Sequence, residues 1–269
     1  MLTIPSTDAV ELAVHDLGGD GPPLIFVHAT GFHGRCYQQI ATRLSDVRHC
    51  WAPDLRAHGD STEPADDRFD WAGMADDLCS ALDALGIDQP IDFVGHSMGG
   101  ATVVAVELRR PGTIRTAWLF EPILFPPMGD NPSMMADVAR NRRARFESVD
   151  AVIDRYRSRP PFSAVDRAVL DDYVRFGFRT AEDGVELKCT PESEARTFES
   201  VDYTVFDRLE AIDADITVIG STDGGPPAMI APRIAEAIPT ADFVLWDDTH
   251  FGPFSDPDRA AREIRATLQ

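Results

Sequence analysis

The sequence is almost devoid of lysine. Of its 25 basic residues, 24 are arginines and one is a lysine, Lys188, against 45 acidic residues and a formal net charge of −20. Phosphate groups repel a protein this negative, so we expect neither nucleic acids nor membranes as partners. Salt adaptation and a composition bias of the genome are two alternative explanations of the acidic excess.

Membrane spans, targeting segments and zinc motifs are also missing. No stretch approaches the roughly 18 to 20 apolar residues of a spanning helix, and the N-terminal residues lack the basic start and apolar run of a signal peptide. No C-x-x-C pair occurs, and no histidine lies at zinc-site spacing from the four cysteines Cys36, Cys50, Cys79 and Cys189. We therefore expect a cytoplasmic protein with reduced cysteines, no metal and no cofactor.

Short apolar runs alternate with helical patterns in the first half of the chain. Residues 24–27 follow a turn rich in glycine and proline and are predicted as a buried strand after a hairpin. Apolar residues at three-four spacing predict a helix over 71–85, followed by a strand at 91–94 and a buried helix over 101–106. This alternation predicts a parallel α/β sheet flanked by helices.

The alternation stops after a strand predicted at 116–120 and resumes with strands at 216–219 and 243–246. A closing amphipathic helix is predicted from Pro257, with Asp256 as its N-cap. The chain is long enough for one large core or two modest ones, and this pattern favours one core with an interruption.

The interruption contains helical patterns at 134–146 and 166–176. We interpret residues 126–205 as a helical cap or lid inserted into a core formed by residues 1–125 and 206–269.

A G-x-S-x-G motif occupies residues 95–99, between a predicted strand and a predicted buried helix. A serine on such a sharp strand-to-helix turn needs flanking glycines, because the backbone is strained and a Cβ would collide with its neighbours. Ser97 is therefore the candidate nucleophile.

A serine hydroxyl is a weak nucleophile and needs a base that is itself held by a carboxylate. Of seven histidines, His250 alone follows the last predicted strand, from where it can reach a serine at the carboxyl end of the sheet. Two acids compete for the third role. The chain order Ser97, Asp223, His250 favours Asp223, and Glu121, after the strand that follows the nucleophile, is the alternative.

Backbone N–H groups are the expected stabilisers of the oxyanion formed on attack. Met98, at a helix N-terminus, and Thr30, in the loop after the first long predicted strand, are the candidate donors. Phe32, Phe125 and Phe251 flank these loops and are candidates for an apolar substrate pocket, with core packing as the alternative.

These motifs together resemble the α/β-hydrolase superfamily over almost the whole chain. They lie at residues 28–31, 54–61, 95–100, 220–223 and 249–251, with Ala29 and Ala57 where the family usually has glycine. The resemblance implies a mostly parallel eight-stranded sheet, a Ser-acid-His triad and a helical cap lining the pocket. Some members carry an acid at the place of Glu121. Epoxide hydrolases and haloalkane dehalogenases have an aspartate at the place of Ser97, so their chemistry is disfavoured.

The expected function is a serine hydrolase that cleaves small carboxylic ester-like substrates through an acyl-enzyme on Ser97. Lactone, thioester and carbon–carbon bond hydrolysis of the β-diketone type are alternatives. A ligand-binding receptor with little turnover is the non-enzymatic alternative. The oligomeric state, monomer or homodimer, is left open.

The predicted cap is locally basic, with ten arginines against seven acids between residues 134 and 179. Arg140, Arg142, Arg143 and Arg145 are candidates for attracting a substrate that carries a carboxylate or phosphate. Ion pairs with nearby acids are the alternative.

Overall fold

The computed structural model describes residues 1–126 and 134–268. The strands in this part of the chain are β1 (Leu2–Pro5), β2 (Glu11–Gly18), β3 (Pro23–Val27), β4 (His49–Pro53), β5 (Ile91–His96), β6 (Ile114–Phe120), β7 (Arg145–Phe146), β8 (Phe178–Ala181), β9 (Gly184–Leu187), β10 (Asp215–Asp223) and β11 (Ala241–Thr249). Eight of them form one sheet in the order β1-β2-β4-β3-β5-β6-β10-β11. The pairs β1–β2 and β2–β4 are antiparallel, and the other pairs are parallel.

The described helices cover both faces of this sheet. They are α1 (Gln38–Thr42), α2 (Trp71–Ala84), α3 (Met98–Arg109), α4 (Met134–Arg140), α5 (Val149–Arg157), α6 (Arg167–Gly177), α7 (Pro191–Glu199), α8 (Pro226–Ala237), α9 (Gly252–Ser255) and α10 (Pro257–Thr267). Shorter 3-10 helices span Thr7–Ala9, Gly34–Tyr37, Phe162–Ala164 and Tyr203–Ala211. The predicted fold class, a mostly parallel eight-stranded sheet flanked by helices, is confirmed.

Alternation along the central strands divides the core between the two faces. On β3, Ile25 and Val27 pack with α2, α3 and α8, whereas Leu24 and Phe26 pack on the opposite face with α1 and α10. Burying each such side chain contributes about 1.5 to 3 kcal/mol. A strand that is covered on both faces is apolar at every position. The short apolar runs of the sequence therefore predicted these strands correctly.

The predicted hairpin before residues 24–27 is wrong. Strand β4 lies between β2 and β3, antiparallel to one and parallel to the other. Gly19 has a φ of +103°, and a Cβ there would lie 2.2 Å from the carbonyl oxygen of Arg48. The glycine-rich turn thus packs against the residues just before β4. The two strands that it connects, β2 and β3, are not paired with each other.

Between β6 and β10 the chain leaves the main sheet and forms α4 to α7 with a second, antiparallel sheet of order β7-β9-β8. We call residues 134–211 the inserted segment. The helix predicted over 134–146 ends at Arg140, and Arg145 and Phe146 pair with β9. Phe146 is buried there against Phe178, so tertiary packing overrides the helical pattern. The cap boundaries at 126 and 205 stay a prediction, and residues 127–133 lie outside the described residues.

No helix in the described part of the chain combines the length and the apolar character that crossing a membrane requires.

Candidate active site

Ser97 lies at the turn between β5 and α3, with φ 55° and ψ −117°. This conformation is strained for a residue with a Cβ. The neighbouring glycines permit it: a Cβ on Gly95 would lie 2.7 Å from Gly100 Cα, and one on Gly99 would lie 2.0 Å from the carbonyl oxygen of Val27. The motif therefore forms the tight strand-to-helix turn that its glycines predict, with Ser97 at the carboxyl end of the sheet.

His250 follows β11 directly, and its Nδ1 atom contacts the Oε2 atom of Glu121. The imidazole is 26% exposed, whereas the Glu121 side chain is fully buried. The carbonyl oxygen of His250 accepts a hydrogen bond of 2.9 Å from Nε2 of His96, next to the candidate nucleophile. Side chain and backbone of His250 are thus both held by residues at the carboxyl ends of β6 and β5.

Glu121 lies just beyond β6, where its φ of +44° turns the chain at the edge of the sheet. Its Oε1 atom accepts hydrogen bonds from the N–H (2.7 Å) and the hydroxyl (2.5 Å) of Ser221 on β10. A Cβ on Gly224 would lie 2.1 Å from that same oxygen, so the loop after β10 closes tightly over the carboxylate. Its second oxygen, Oε2, contacts His250.

These contacts favour Glu121 over Asp223 as the acid that holds His250. Asp223 is exposed at the end of β10, and within the described residues its carboxylate makes no hydrogen bond or ion pair. The pairing of β10 with β11 shifts register between Ser221 and Asp223. The carboxylate that contacts His250 follows β6, the strand on the other side of β10.

The two residues proposed to supply the oxyanion donors contact each other through their side chains. The Thr30 hydroxyl donates to the sulfur of Met98 at 3.3 Å, and both residues are buried. In the described part of the chain, neither backbone N–H donates to a protein acceptor. Both N–H groups are therefore available to an oxygen of a substrate.

A model of the Alpha/beta hydrolase family matches residues 24–263. The chain belongs to the alpha/beta hydrolase family. Among curated relatives, the 2-hydroxymuconate semialdehyde hydrolase of Pseudomonas putida is 36% identical over 104 residues, which are 38% of this chain and 36% of that protein. Lipase 3 of Moraxella sp. (strain TA144) is 32% identical over 142 residues, 52% of this chain and 44% of that protein. The chain thus matches less than half of the length of either relative.

Solved structures resemble this member of the family over nearly its full length. The thioesterase domain from the curacin biosynthetic pathway superposes with a TM-score of 0.82 at 18% identity, covering 98% of both chains. E-2-(acetamidomethylene)succinate hydrolase superposes with a TM-score of 0.78 at 18% identity, covering 99% of this chain and 98% of that one. At such identities the likeness establishes the alpha/beta hydrolase fold.

His28, one of the six histidines passed over in favour of His250, supports the loop that carries Thr30. Its Nε2 accepts a hydrogen bond from the N–H of Leu55 at 2.9 Å, and its Nδ1 donates to the carbonyl of Ala29, also at 2.9 Å. Burial, reinforced by the charge of His58, lowers the pKa of His28 to about 3. The neutral ring thus supplies one donor and one acceptor, and ties the residue before Thr30 to the loop after β4.

The three candidate pocket phenylalanines occupy different environments. Phe251 and Phe162 line a cavity of about 790 Å³ bounded by the inserted segment. Phe32 is nearly buried and packs against both of them, with ring centroids 5.6 and 6.0 Å away. Phe125 packs against the core on the α2 and α3 face of the sheet. Of the three, Phe251 faces the cavity.

All four candidate arginines of the inserted segment form ion pairs. The pairs are Arg140 with Glu192 and Glu199, Arg142 with Glu194, Arg143 with Glu147, and Arg145 with Glu186. Three of these four arginines find their partners about 40 to 60 residues along the chain, in contacts that helix spacing does not reveal. Pairing with acids is therefore the alternative that the contacts favour for these four residues.

One cluster of potential metal ligands occurs in the described part of the chain, formed by His15, Asp54 and Asp60. Asp54 already accepts hydrogen bonds from His15 (2.8 Å) and from the N–H groups of Gly34 (2.7 Å) and Asp60 (2.8 Å). Burial alone would raise the pKa of Asp54, but the hydrogen bond and charge of His15 outweigh it and lower the pKa. Lys188 pairs with Asp60, so these contacts occupy the positions that a cation would need.

Proposed function

We propose that this protein is a serine hydrolase that cleaves small carboxylic ester-like substrates through an acyl-enzyme on Ser97. The observation that carries the proposal is the contact of His250 with the buried carboxylate of Glu121, at the sheet edge where Ser97 occupies its strained turn. Membership of the alpha/beta hydrolase family supports the same chemistry.

In the proposed first step, the hydroxyl oxygen of Ser97 bonds to the carbonyl carbon while Nε2 of His250 takes the hydroxyl proton. Glu121 accepts the hydrogen of Nδ1, which leaves the lone pair on Nε2 and stabilises the imidazolium that forms. The backbone N–H groups of Thr30 and Met98 bind the negative oxygen of the tetrahedral intermediate.

In the proposed second half, the intermediate collapses, the alkoxide takes the proton from His250 and leaves as an alcohol. Water then attacks the acyl carbon while His250 accepts a water proton, and the Ser97 oxygen takes that proton back as the carboxylic acid is released. No redox partner or metal is needed for this balance.

Labelling with a fluorophosphonate tests the proposal. We expect labelling of the wild type and of Ser163→Ala, a control at an exposed serine, and none of Ser97→Ala. A pre-steady-state burst with 4-nitrophenyl acetate would report the acyl-enzyme. A wild type that is neither labelled nor active would overturn the proposal and favour the receptor alternative.

Carbon–carbon bond hydrolysis is the second candidate, because the 2-hydroxymuconate semialdehyde hydrolase of Pseudomonas putida is a relative. A panel of esters, thioesters, lactones and β-diketones separates the candidates. A β-diketone with kcat/KM above that of every ester would replace the ester proposal with this one.

We further propose that the protein works in the cytoplasm. All four cysteines are buried and unpaired, which agrees with a reducing compartment. Cell fractionation with a soluble cytoplasmic marker tests this, and recovery outside that fraction would overturn it.

A further inference from the structure

Two arginines at the rim of the cavity beside Phe251 differ from the four ion-paired ones. Arg155, half-buried in the last turn of α5, and Arg159, exposed just beyond it, both line the cavity. Within the described residues, neither guanidinium forms an ion pair. We propose that Arg155 and Arg159 bind the carboxylate of an anionic substrate whose ester carbonyl lies at Ser97; this inference rests on the proposed function.

The charges around the cavity support an anion there. Its other two arginines are neutralised: Arg142 pairs with Glu194 at 2.6 Å and Arg143 with Glu147 at 3.1 Å. Asp137 is the remaining acid of the lining, so the two unpaired guanidinium groups outweigh it. A positive site in a chain of net charge −20 stands out, because most surface charge of this protein repels anions.

The positions of the two arginines suit a carboxylate. Both line the same cavity at the C-terminal end of α5, and the N–H of Arg159 donates to the carbonyl of Tyr156 at 3.2 Å. Each guanidinium presents a planar fork of donors that matches the two oxygens of a carboxylate.

A row of contacting aromatic rings runs from Tyr156, next to these arginines, to the candidate catalytic histidine. Ring centroids are 6.4 Å apart for His250 and Phe251, 5.5 Å for Phe251 and Phe162, and 4.6 Å for Phe162 and Tyr156, which stack. An aliphatic chain lying along these rings would separate the reacting carbonyl from the carboxylate by several carbon atoms. The substrate class that fits is therefore a monoester of a dicarboxylic acid, with the free carboxylate distal to the scissile ester.

Kinetics with 4-nitrophenyl monoesters of succinic to suberic acid test this assignment. Each is compared with its neutral counterpart, in which the distal carboxylate is a methyl ester. For the best chain length we expect kcat/KM about tenfold or more above that of the neutral counterpart, from charge-assisted hydrogen bonds to the arginines. In Arg155→Gln/Arg159→Gln that advantage should disappear through a higher KM, with hydrolysis of the neutral esters within about twofold of wild type.

Arg157→Gln is the matched control, because Arg157 is exposed on the same helix but does not line the cavity. It should keep the full preference for anionic esters. An equal loss in Arg157→Gln would indicate steering by overall charge and overturn the site. A wild type that cleaves neutral esters without preferring anionic ones at any chain length would overturn this inference alone, whereas a wild type inactive on every ester would overturn the proposed function with it.

Discussion

The carboxylate of Glu121 contacts Nδ1 of His250, although the two residues are 129 positions apart in the chain. Their strands, β6 and β11, are not neighbours, since β10 lies between them. Glu121 reaches across because it leaves β6 with a positive φ, and Ser221 on β10 holds its second oxygen. The candidate acid is therefore fixed by three strands together.

Replacing Glu121 with glutamine should lower kcat strongly. An amide nitrogen at the place of Oε2 cannot accept the hydrogen of Nδ1. It would either donate to Nδ1, which favours the wrong tautomer of His250, or leave the Nδ1 hydrogen unpaired. The wrong tautomer of a catalytic histidine costs about 10²- to 10⁴-fold in kcat. Asp223→Asn should stay within about twofold of wild type, since Asp223 does not contact His250. Steady-state hydrolysis of 4-nitrophenyl acetate measures both, with thermal unfolding as a check on folding. A comparable loss in Asp223→Asn would return that residue to the catalytic role.

Sequence patterns predicted the main sheet because its strands are buried on both faces and its helices have one apolar stripe. Ser97 and His250 can be proposed from the sequence because each directly follows a strand, and parallel strands bring their carboxyl ends to one edge. Chain order favours Asp223 whereas the contacts favour Glu121, because chain order does not report which strand ends adjoin. Asp223 and Glu121 both follow strands, and the difference lies in a register shift and a positive φ that leave no residue pattern.

The small sheet of the inserted segment was missed for a related reason. Its first strand has two residues, Arg145 and Phe146, too few for alternation to be detected. Gly184, whose φ is +124°, is the first residue of β9 after its turn from β8, but a glycine alone does not indicate which strands its turn connects. Arg155 and Arg159 were counted among the arginines without distinction, because only the tertiary contacts show which guanidinium groups are paired.

Gly224→Ala should disturb the candidate acid. The new Cβ would overlap both carboxylate oxygens of Glu121, and overpacking of this kind costs about 1 to 3 kcal/mol in stability. Displacing the carboxylate should also lower kcat, by up to about 10²-fold. Gly86→Asn is the control: Gly86 follows the C-cap of α2 with a φ of +68° and no atom within 4 Å of a Cβ, and asparagine tolerates this helix-ending conformation. Urea unfolding and ester hydrolysis measure both variants, and full activity in Gly224→Ala would contradict the expectation.

Arg142→Met should destabilise the protein more than Arg140→Met. The Arg142 side chain is 18% exposed, and it also donates to the hydroxyls of Tyr156 and Tyr173 at 3.1 and 2.6 Å. Removing it leaves Glu194 largely buried without a counter-charge, which costs about 3 kcal/mol. Arg140 pairs with exposed acids, so its loss should matter less.

The double variant Arg142→Met/Glu194→Gln removes both charges of the buried pair and should recover part of that loss. Urea unfolding of the two single variants and the double variant measures the coupling. Equal destabilisation by Arg140→Met and Arg142→Met would show that burial of the Arg142 pair is unimportant.

Acid should destabilise the protein from about pH 6.5 downward, where unfolded histidines begin to bind protons. Burial lowers the pKa of His28, His33, His58 and His96 in the folded state. The folded protein therefore binds fewer protons than the unfolded chain below that pH, and the free energy of unfolding falls as pH falls. Each of the four contributes up to about 1.4 kcal/mol per pH unit until its folded pKa is reached.

Urea unfolding at about pH 7.5, 6.5 and 5.5 measures this slope. His33→Gln keeps a donor for the carbonyl of Tyr173, to which Nε2 of His33 is hydrogen-bonded at 3.1 Å, and should reduce the slope because one neutral buried histidine is gone. His49→Gln, at a half-exposed position paired with Asp16, is the control and should change it less. A free energy of unfolding that is the same at all three pH values would mean that the buried rings take up protons as readily as the unfolded chain does.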